Sequence, residues 1–265
     1  MPAFQITRLR AQINALARCF TRPEEFYPML RDLFEFYGNQ AYRTGELNLD
    51  SPLVDTYRLP PMVMNQFELE LGRLCHENPG AALALANQLW QDEHLETRML
   101  AAFLVGQVPP SPPEPIIERL TAWGKPGTPA IILDALFERG SRRLRHEHPL
   151  QWLEAIENWM KSKEPPSVSI GLRAMLSVVM DPDFENLPPV FRMLADHVKE
   201  PADSLLSNLA AVLEALAVRS PMETAYFLRR QVLTSTMTSP ASLRLVRRCL
   251  PLLPPEAQAS LRSAL

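Results

Sequence analysis

The sequence is poor in glycine, with 9 in 265 residues, where average usage would give about 19. β-Sandwiches rely on glycine in their tight turns, so this class is disfavoured. Neither GxGxxG nor GxxxxGK[ST] occurs, which excludes the common glycine-rich phosphate loops. Long apolar runs are also missing, since no stretch approaches the ~20 apolar residues of a membrane span. The remaining composition, 46% hydrophobic and 22% charged, is too apolar for a disordered chain and predicts a folded protein.

Cysteine is scarce as well. Cys19, Cys75 and Cys249 are far apart, odd in number and set in apolar stretches with helical periodicity. No CxxC or His/Cys spacing typical of a metal site is present. The pattern favours three buried thiols in a reducing cytosol. We therefore expect a cytoplasmic protein with no metal and no cofactor.

Proline, in contrast, is abundant: there are 26, where average usage would give about 13. Many of these prolines follow a capping residue and precede an apolar helical pattern. In Ser220-Pro221-Met222-Glu223 and Thr21-Arg22-Pro23-Glu24 a hydroxyl residue is followed by Glu three positions later. This is the capping box, with Pro near the first helical position, where a missing N–H has no cost. The prolines thus predict rigid helix starts rather than a flexible linker.

Helical periodicity runs through the chain, and no segment alternates with period two for long enough to predict a strand. The expected starting prolines of alternate helices lie 33 to 39 residues apart; they are Pro129, Pro149, Pro165, Pro188, Pro201, Pro221, Pro240 and Pro254. A helix pair of this length is typical of HEAT and related repeats. We predict an all-α protein, a right-handed α-solenoid of HEAT-like helix pairs, curved with a concave face. One domain spans 1–265, with an N-terminal helical pair (1–37), an irregular crossover (38–59) and stacked pairs (60–265).

The charge distribution is uneven. The formal net charge is −3, yet the stretch from Ser220 to Leu265 holds six Arg and two Glu. Two helix ends concentrate arginine; they are Arg139, Arg142, Arg143 and Arg145, and Arg244, Arg247 and Arg248. Cations at helix C-termini complement the helix dipole, which is one interpretation. The other is an anion-binding surface, since successive repeat helices place basic residues along one wall that suits a nucleic-acid backbone.

Asp134 is a carboxylate with apolar neighbours on nearly every side, in the stretch 130–137. A buried, unpaired carboxylate is costly. Asp134 therefore either belongs to a functional site or lies on the exposed face of its helix, and the residues alone leave both open.

Two segments resemble a known family. Tyr57-Arg58-Leu59-Pro60 and the later stretch from Leu89-Trp90 through His94-Leu95-Glu96-Thr97-Arg98 are similar to motifs of the HEAT-like DNA alkylation repair glycosylases. The similarity in helix order extends to about residue 250. The resemblance implies a concave basic cleft that holds duplex DNA, and excision of alkylated bases without a base-flipping pocket. The family signature is a Trp-Trp-Asp-x-x-Asp helix, with an Arg and another Trp downstream.

Residue by residue, the resemblance carries over in part. Asp134 matches the catalytic aspartate, and Arg173 resembles the cleft arginine. Pro129 and Ala130 stand where the family has its tryptophan pair, and Ala211 stands at the downstream tryptophan. These departures remove aromatic contacts to the lesion, so N-glycosylase activity towards alkylated purines, with Asp134 as catalytic residue, stays open.

The first hypothesis is therefore a protein that binds duplex DNA. Its nucleic-acid-binding candidates are Arg142, Arg143, Arg173, Arg244, Arg247 and Arg248. The alternative is a non-catalytic protein-interaction scaffold with a protein partner on the same fold. Neither hypothesis involves a membrane.

Overall fold

The computed structural model describes residues 6–43, 54–234 and 239–263. Within these ranges the chain forms fifteen α-helices and no strand. This confirms the predicted all-α class. The arrangement of the helices as right-handed HEAT-like repeats stays a prediction.

The chain divides into two compact units, residues 1–123 with 127–148 and residues 124–126 with 149–265. The helices of the first unit are α1 (Ile6–Ala17), α2 (Pro23–Arg43), α3 (Pro61–Glu77), α4 (Pro79–Trp90), α5 (Leu95–Gln107), α6 (Glu114–Trp123), α7 (Ala130–Ala135) and α8 (Arg142–Glu147). Those of the second are α9 (Pro149–Met160), α10 (Pro165–Val179), α11 (Pro188–Lys199), α12 (Leu206–Arg219), α13 (Pro221–Thr234), α14 (Pro240–Cys249) and α15 (Pro255–Arg262). A π-helical turn, Leu136–Gly140, separates α7 from α8. The single domain 1–265 stays a prediction.

Proline begins most of these helices, as the sequence predicts. The first residue is proline in α2, α3, α4, α9, α10, α11, α13, α14 and α15. At the start of α13, the Ser220 hydroxyl donates a hydrogen bond of 2.8 Å to Glu223 Oε2, so the two capping-box residues are in contact. After Pro201 the chain first makes a short 3₁₀ turn, Asp203–Leu205, and α12 begins only at Leu206.

The helices of the first unit form two rows. α1, α3 and α5 pack side by side, and α7, the π-helical turn and α8 pack on α5. α2 and α4 form the second row, with α4 against α5. Between the rows, the buried rings of Phe34 on α2 and Phe67 on α3 meet edge to face with centroids 5.3 Å apart. Burial of each such ring contributes roughly 2–3 kcal/mol.

The second unit has the same two-row pattern. α10, α12 and α14 pack in one row, and α9, α11, α13 and α15 pack in the other. The rows are joined by α9 on α10, α12 on α13 and α11 on α14. Residues on α10 and α14 therefore belong to one layer of this unit, while residues on α11 and α13 belong to the opposite layer.

The expected crossover over 38–59 begins later than predicted. Gly38 lies inside α2, which continues to Arg43. Glycine at this position does not end the helix but lets the backbone of Tyr57 pack closely against it, because a Cβ atom here would overlap the carbonyl oxygen of Tyr57. Residues 44–53 of the expected crossover lie outside the described residues, and 55–60 form no helix.

All three cysteines are buried and free, as predicted. Burial raises the pKa of the Cys75 and Cys249 thiols to about 12, and the nearby Glu214 carboxylate adds to the effect at Cys249. Among the helices in the described ranges, none combines the length and apolarity needed to cross a bilayer.

Candidate nucleic-acid interface

The predicted arginines of the second unit lie in one row. Arg173 is on α10, Arg244, Arg247 and Arg248 are on α14, and α12 packs between these two helices. The three arginines of α14 are exposed, and Arg173 is half-buried. The structure therefore places all four candidates of this unit in the α10–α12–α14 layer.

The α14 arginines face solvent because the helix is strongly amphipathic. Their spacing, i, i+3 and i+4, aligns them on one side, while the opposite side, including Leu245 and Val246, is buried. Ser242 fixes the start of the helix by donating a 2.7 Å hydrogen bond to the carbonyl oxygen of Lys199. The side chains are thus presented by a firmly packed element.

The three α14 arginines differ in their pairing. Arg248 Nε lies 2.6 Å from Glu214 Oε1 on α12. For Arg244 and Arg247, no hydrogen-bond or ion-pair partner is found in the described part of the chain. Glu214 is a neighbour of the cluster that spacing could not reveal, since it lies 34 residues before its partner. Two cations of this cluster are therefore available to an anion, and the third is partly neutralised.

A fifth arginine of this layer is structural. Arg219, at the end of α12, donates hydrogen bonds to carbonyl oxygens at and after the end of α10, including those of Val178, Val179 and Phe184. These carbonyls are among the ones that a helix end leaves without an internal partner. Arg219 thereby closes α10 and holds the following turn.

In the first unit, Asp134 lies on the exposed face of α7. Ile131 and Glu138 are exposed as well, so the outward positions recur every three to four residues despite the apolar sequence. This agrees with the second interpretation of the sequence, the exposed face of the helix, since the apolar neighbours Ile132 and Leu133 are buried on the inner face. An exposed carboxylate is still compatible with a functional role.

The arginines after α7 do not form the single projecting cluster expected of a continuous helix. The π-helical turn at 136–140 inserts an extra residue into the helical repeat and shifts the register of the side chains beyond it. Gly106 on α5 makes room for this turn, because a Cβ there would overlap the carbonyl oxygen of Arg139. The positions that share a face in an ideal helix consequently separate.

Most of these arginines are used inside the first unit. Buried Arg145 donates to the carbonyl oxygens of Phe137 and Glu138, at 3.0 and 3.1 Å, and to Ser141 Oγ at 2.8 Å. Arg139 pairs with Glu68 on α3. Only Arg142, among the four, is exposed.

Arg143, a predicted DNA contact, is also committed to the fold. Its Nε lies 2.6 Å from Glu147 Oε1, and its Nη1 donates to the carbonyl oxygen of Gln107 at 3.2 Å. The ring of His76 lies next to the same nitrogen, at 3.2 Å. The side chain is half-buried, so its guanidinium bridges α3, α5 and α8.

The motif that carries the family resemblance forms a buried polar network in the first unit. Asp92 accepts hydrogen bonds from Tyr27, Tyr57 and Thr97 hydroxyls, at 3.1 to 3.2 Å, and from the backbone N–H of His94 at 2.9 Å. The His94 ring lies 2.6 Å away through Nδ1 and stacks on Tyr57. Burial alone would raise the pKa of Asp92, but the hydrogen bonds and charge of His94 and the bond from Tyr27 outweigh it, so this pKa lies below its usual value.

A second buried acid of the motif, Glu96, holds the segment that precedes α3. It accepts from the Thr56 hydroxyl at 2.5 Å and from the backbone N–H groups of Tyr57 and Leu59, at 3.0 and 3.2 Å. Arg58, between these two amides, has φ of 57°, a region that non-glycine residues rarely adopt. The motif residues thus stabilise a strained turn, a role that sequence reasoning missed. The sequence feature that could have indicated this role is the pair of acids, Asp92 and Glu96, on either side of the first residue of α5.

The tryptophans pack within the units. The seven-residue spacing of Trp152 and Trp159 predicts packing, and the two rings meet edge to face at 6.1 Å, with Trp152 fully buried. In the first unit, Trp90 and Trp123 stack with centroids 4.4 Å apart, and the Arg98 guanidinium lies over Trp90. All four side chains therefore contribute to packing between helices.

Comparison with known proteins gives one family. The model of the family described as DNA alkylation repair enzyme matches residues 71–245. This range begins in α3 and ends in α14, so it contains both Asp134 and Arg173. No curated protein and no solved structure matches the chain.

Proposed function

The chain belongs to the DNA alkylation repair enzyme family, and from this premise we propose that it binds duplex DNA through the exposed arginines of α14. The observation that carries the proposal is the pair Arg244 and Arg247, exposed on a well-packed helix and without a partner among the described residues. Arginine forks suit phosphate oxygens, which accept two parallel hydrogen bonds.

The local charge supports DNA binding better than the net charge does. The whole chain carries −3, but the region from Ser220 onwards is basic. Glu214 limits the effect by neutralising Arg248. Binding through a few phosphate contacts on an otherwise acidic protein should be weak and strongly dependent on salt.

The proposed architecture gives these arginines a common surface. In a right-handed solenoid of HEAT-like pairs, successive helices of one row line a concave wall. The row α10–α12–α14 would form part of this wall, with Arg173 as a further phosphate contact. Arg142, in the first unit, is a separate candidate for a phosphate contact. Arg143, which already has three partners, contributes less.

Excision is a separate hypothesis within the same proposal. An exposed carboxylate at Asp134 is suited to stabilise the oxocarbenium-like charge that develops when an N-glycosidic bond to a cationic base is hydrolysed. Pro129 and Ala130 provide no aromatic ring beside it. We therefore propose DNA binding as the function, and hydrolysis at Asp134 as the hypothesis that the second experiment decides.

Fluorescence anisotropy with a labelled duplex at two salt concentrations tests the binding. The variant Arg244→Ala/Arg247→Ala should weaken binding by about tenfold at low salt, and should reduce the slope of log K against log salt by nearly 2, because each phosphate contact contributes about 0.9. Arg73→Ala/Arg262→Ala, which removes the same charge from exposed positions on α3 and α15, is the control. No salt-dependent binding at micromolar protein, or an equal loss in the control, would overturn the proposal.

Release of 3- or 7-methylated purine from alkylated duplex tests the chemistry. If Asp134 stabilises the transition state, Asp134→Asn should release base at least a hundredfold more slowly than the wild type. Glu138→Gln, on the same exposed face, should retain the wild-type rate. Equal rates in Asp134→Asn and wild type, or no release by the wild type, would discard the assignment.

A further inference from the structure

The layer of the second unit opposite the α14 arginines contains an open groove. It lies between α11 and α13, has a volume of about 820 Å³, and is lined on the α11 side by Phe191, Arg192 and Lys199. Met222, Tyr226 and Arg230 line it from α13. Arg192 and Lys199 are seven positions apart on α11, and Met222, Tyr226 and Arg230 are four positions apart on α13, so each helix presents one face to the groove.

Aromatic rings form the floor of this groove. Phe191 and Phe227 reach across from the two helices, with ring centroids 5.2 Å apart and planes tilted by 44°. Phe227 is 7% exposed. A rigid apolar floor of this kind provides a base for apolar side chains of a ligand.

The ridge beside the groove exposes large apolar side chains. Met222 is 59% exposed and Tyr226 is 69% exposed. Both also line a second, smaller pocket of about 220 Å³ between α13 and α15. A continuous apolar surface with a polar rim, extending over three helices, marks an interaction site rather than scattered surface residues.

The rim of this surface is predominantly basic. Arg192, Lys199, Arg229 and Arg230 line the two pockets, against Glu223 and Glu256. Lys199 is paired with Asp196 at 3.4 Å, so the basic excess rests on the arginines. Glu223 already accepts a hydrogen bond from Ser220 at the start of α13. The complementary ligand therefore carries acidic residues at the edges of an apolar face.

A buried amide adds a polar feature to the groove. Gln231 lines it and is 6% exposed, and its Oε1 atom has no hydrogen-bond partner among the residues that the structure describes. A buried acceptor without a donor costs about 1–3 kcal/mol. Such a cost is understandable where a ligand N–H group supplies the missing donor.

The surface is separate from the proposed DNA contacts. It belongs to the row α11–α13–α15, whereas Arg173 and the α14 arginines belong to α10–α12–α14. DNA held by the α14 arginines would leave the groove free. The groove is therefore accessible to a second ligand.

From these observations we propose that the groove between α11 and α13, together with the Met222–Tyr226 ridge, docks an acidic amphipathic segment of a protein partner. Two or three apolar side chains of the segment enter the two pockets on either side of the ridge. Its Asp and Glu side chains face Arg192, Arg229 and Arg230. This is recognition of an amphipathic helix in a groove between helices.

An unbiased selection tests the proposal. A displayed library of random 16-residue peptides is selected on the wild-type protein, and enriched peptides are measured by anisotropy on Met222→Glu/Tyr226→Glu. We expect acidic peptides with apolar residues three to four positions apart, whose affinity falls at least tenfold in this variant. Met180→Glu/Val218→Glu, two residues of similar exposure on the α10 and α12 side of the unit, should bind them as the wild type does. No enrichment, enrichment of peptides that are not acidic, or equal affinity in both double variants would overturn the proposal.

Two further measurements test whether the ligand is a nucleic acid and whether Gln231 contacts the peptide. A labelled single-stranded oligonucleotide that binds the wild type and is lost only in Met222→Glu/Tyr226→Glu would overturn the protein partner in favour of a nucleic acid. Gln231→Met should lower peptide affinity by about fivefold while raising the melting temperature, because it removes an unpaired acceptor that serves the ligand. A lower melting temperature with unchanged peptide affinity would show that the amide is structural and overturn its role. Loss of duplex binding in Arg244→Ala/Arg247→Ala affects none of these readouts.

Discussion

The stretch from Arg139 to Arg145 and the stretch from Arg244 to Arg248 carry arginines at similar spacing but use them differently. In the first, Arg145 is buried and Arg139 and Arg143 pair with acids of their own unit. In the second, all three side chains are exposed, and within the described ranges only Arg248 pairs with a carboxylate. The number of cations in a segment therefore says little about how many of them can meet a ligand.

The cause of the difference lies in the backbone. α14 is a continuous helix, so its arginines stay on the outer face. The π-helical turn after α7 leaves carbonyl groups near the side chains that follow it, and Arg145 donates to two of them. The Arg145 guanidinium is buried where it can donate to these carbonyl oxygens, because buried acceptors without a donor are costly.

The largest effect should come from removing the inward arginine. Arg145→Ala removes the donor to the Glu138 carbonyl oxygen and to Ser141 Oγ, and one of the donors to the Phe137 carbonyl oxygen, which still accepts from Ser141 Oγ. It should lower the free energy of unfolding by roughly 2–4 kcal/mol. Arg142→Ala, three positions earlier and exposed, should change it by about 0.5 kcal/mol or less. Urea denaturation followed by circular dichroism measures both.

Replacing Arg145 by lysine tests whether the shape of the guanidinium matters in addition to its charge. Arg145→Lys keeps the charge but loses the planar fork, so it should recover less than half of the stability lost in Arg145→Ala. If Arg145→Ala and Arg142→Ala destabilise equally, the inward role of Arg145 is wrong.

The helices could be predicted from sequence because their signals are local. Pro221, Ser220 and Glu223 lie within one turn, and the predicted helix start is the observed one. Gly38 shows the limit of local signals. Its meaning depends on Tyr57, which approaches it from 19 residues away along the chain, and a glycine in such a contact looks like a helix end in the sequence.

The candidate site could be predicted less completely. The exposure of Arg244, Arg247 and Arg248 follows from helical periodicity and was predictable. The commitment of Arg143 to Gln107 and His76 depends on contacts between distant helices, and so does the pairing of Arg248 with Glu214. Sequence spacing reveals which cations share a face, but not which acids lie opposite them.

A second inward group, the carboxylate of Asp92, gives an acid-dependent effect. Asp92→Asn should lower the free energy of unfolding by roughly 2 kcal/mol at pH 7, because charged acceptors make the stronger hydrogen bonds. The pKa of Asp92 is lowered in the folded state, so its contribution is present above the unfolded value of about 3.9 and is lost as the pH falls through the folded value. Unfolding of wild type and variant is compared at pH 7, 4 and 3. The difference between their free energies of unfolding should be constant well above pH 4 and should become smaller below about pH 4. A gap that stays constant down to pH 3 would contradict the ionised role of Asp92.

The smallest effect is expected from removing the acids that pair with arginines of the two clusters, Glu68 beside Arg139 and Glu214 beside Arg248. Glu214→Gln removes the acid that pairs with Arg248, next to Arg244 and Arg247, for which the described part of the chain offers no partner. It should strengthen duplex binding about two- to threefold with a steeper salt dependence. Glu68→Gln removes the same charge opposite Arg139, whose guanidinium remains half-buried against α3, and should change affinity less than the first variant does. Both substitutions raise the net charge equally, so a purely general charge effect predicts equal changes. Anisotropy at two salt concentrations separates the cases: an increase confined to Glu214→Gln supports a DNA contact at α14, whereas equal increases would assign the effect to net charge alone.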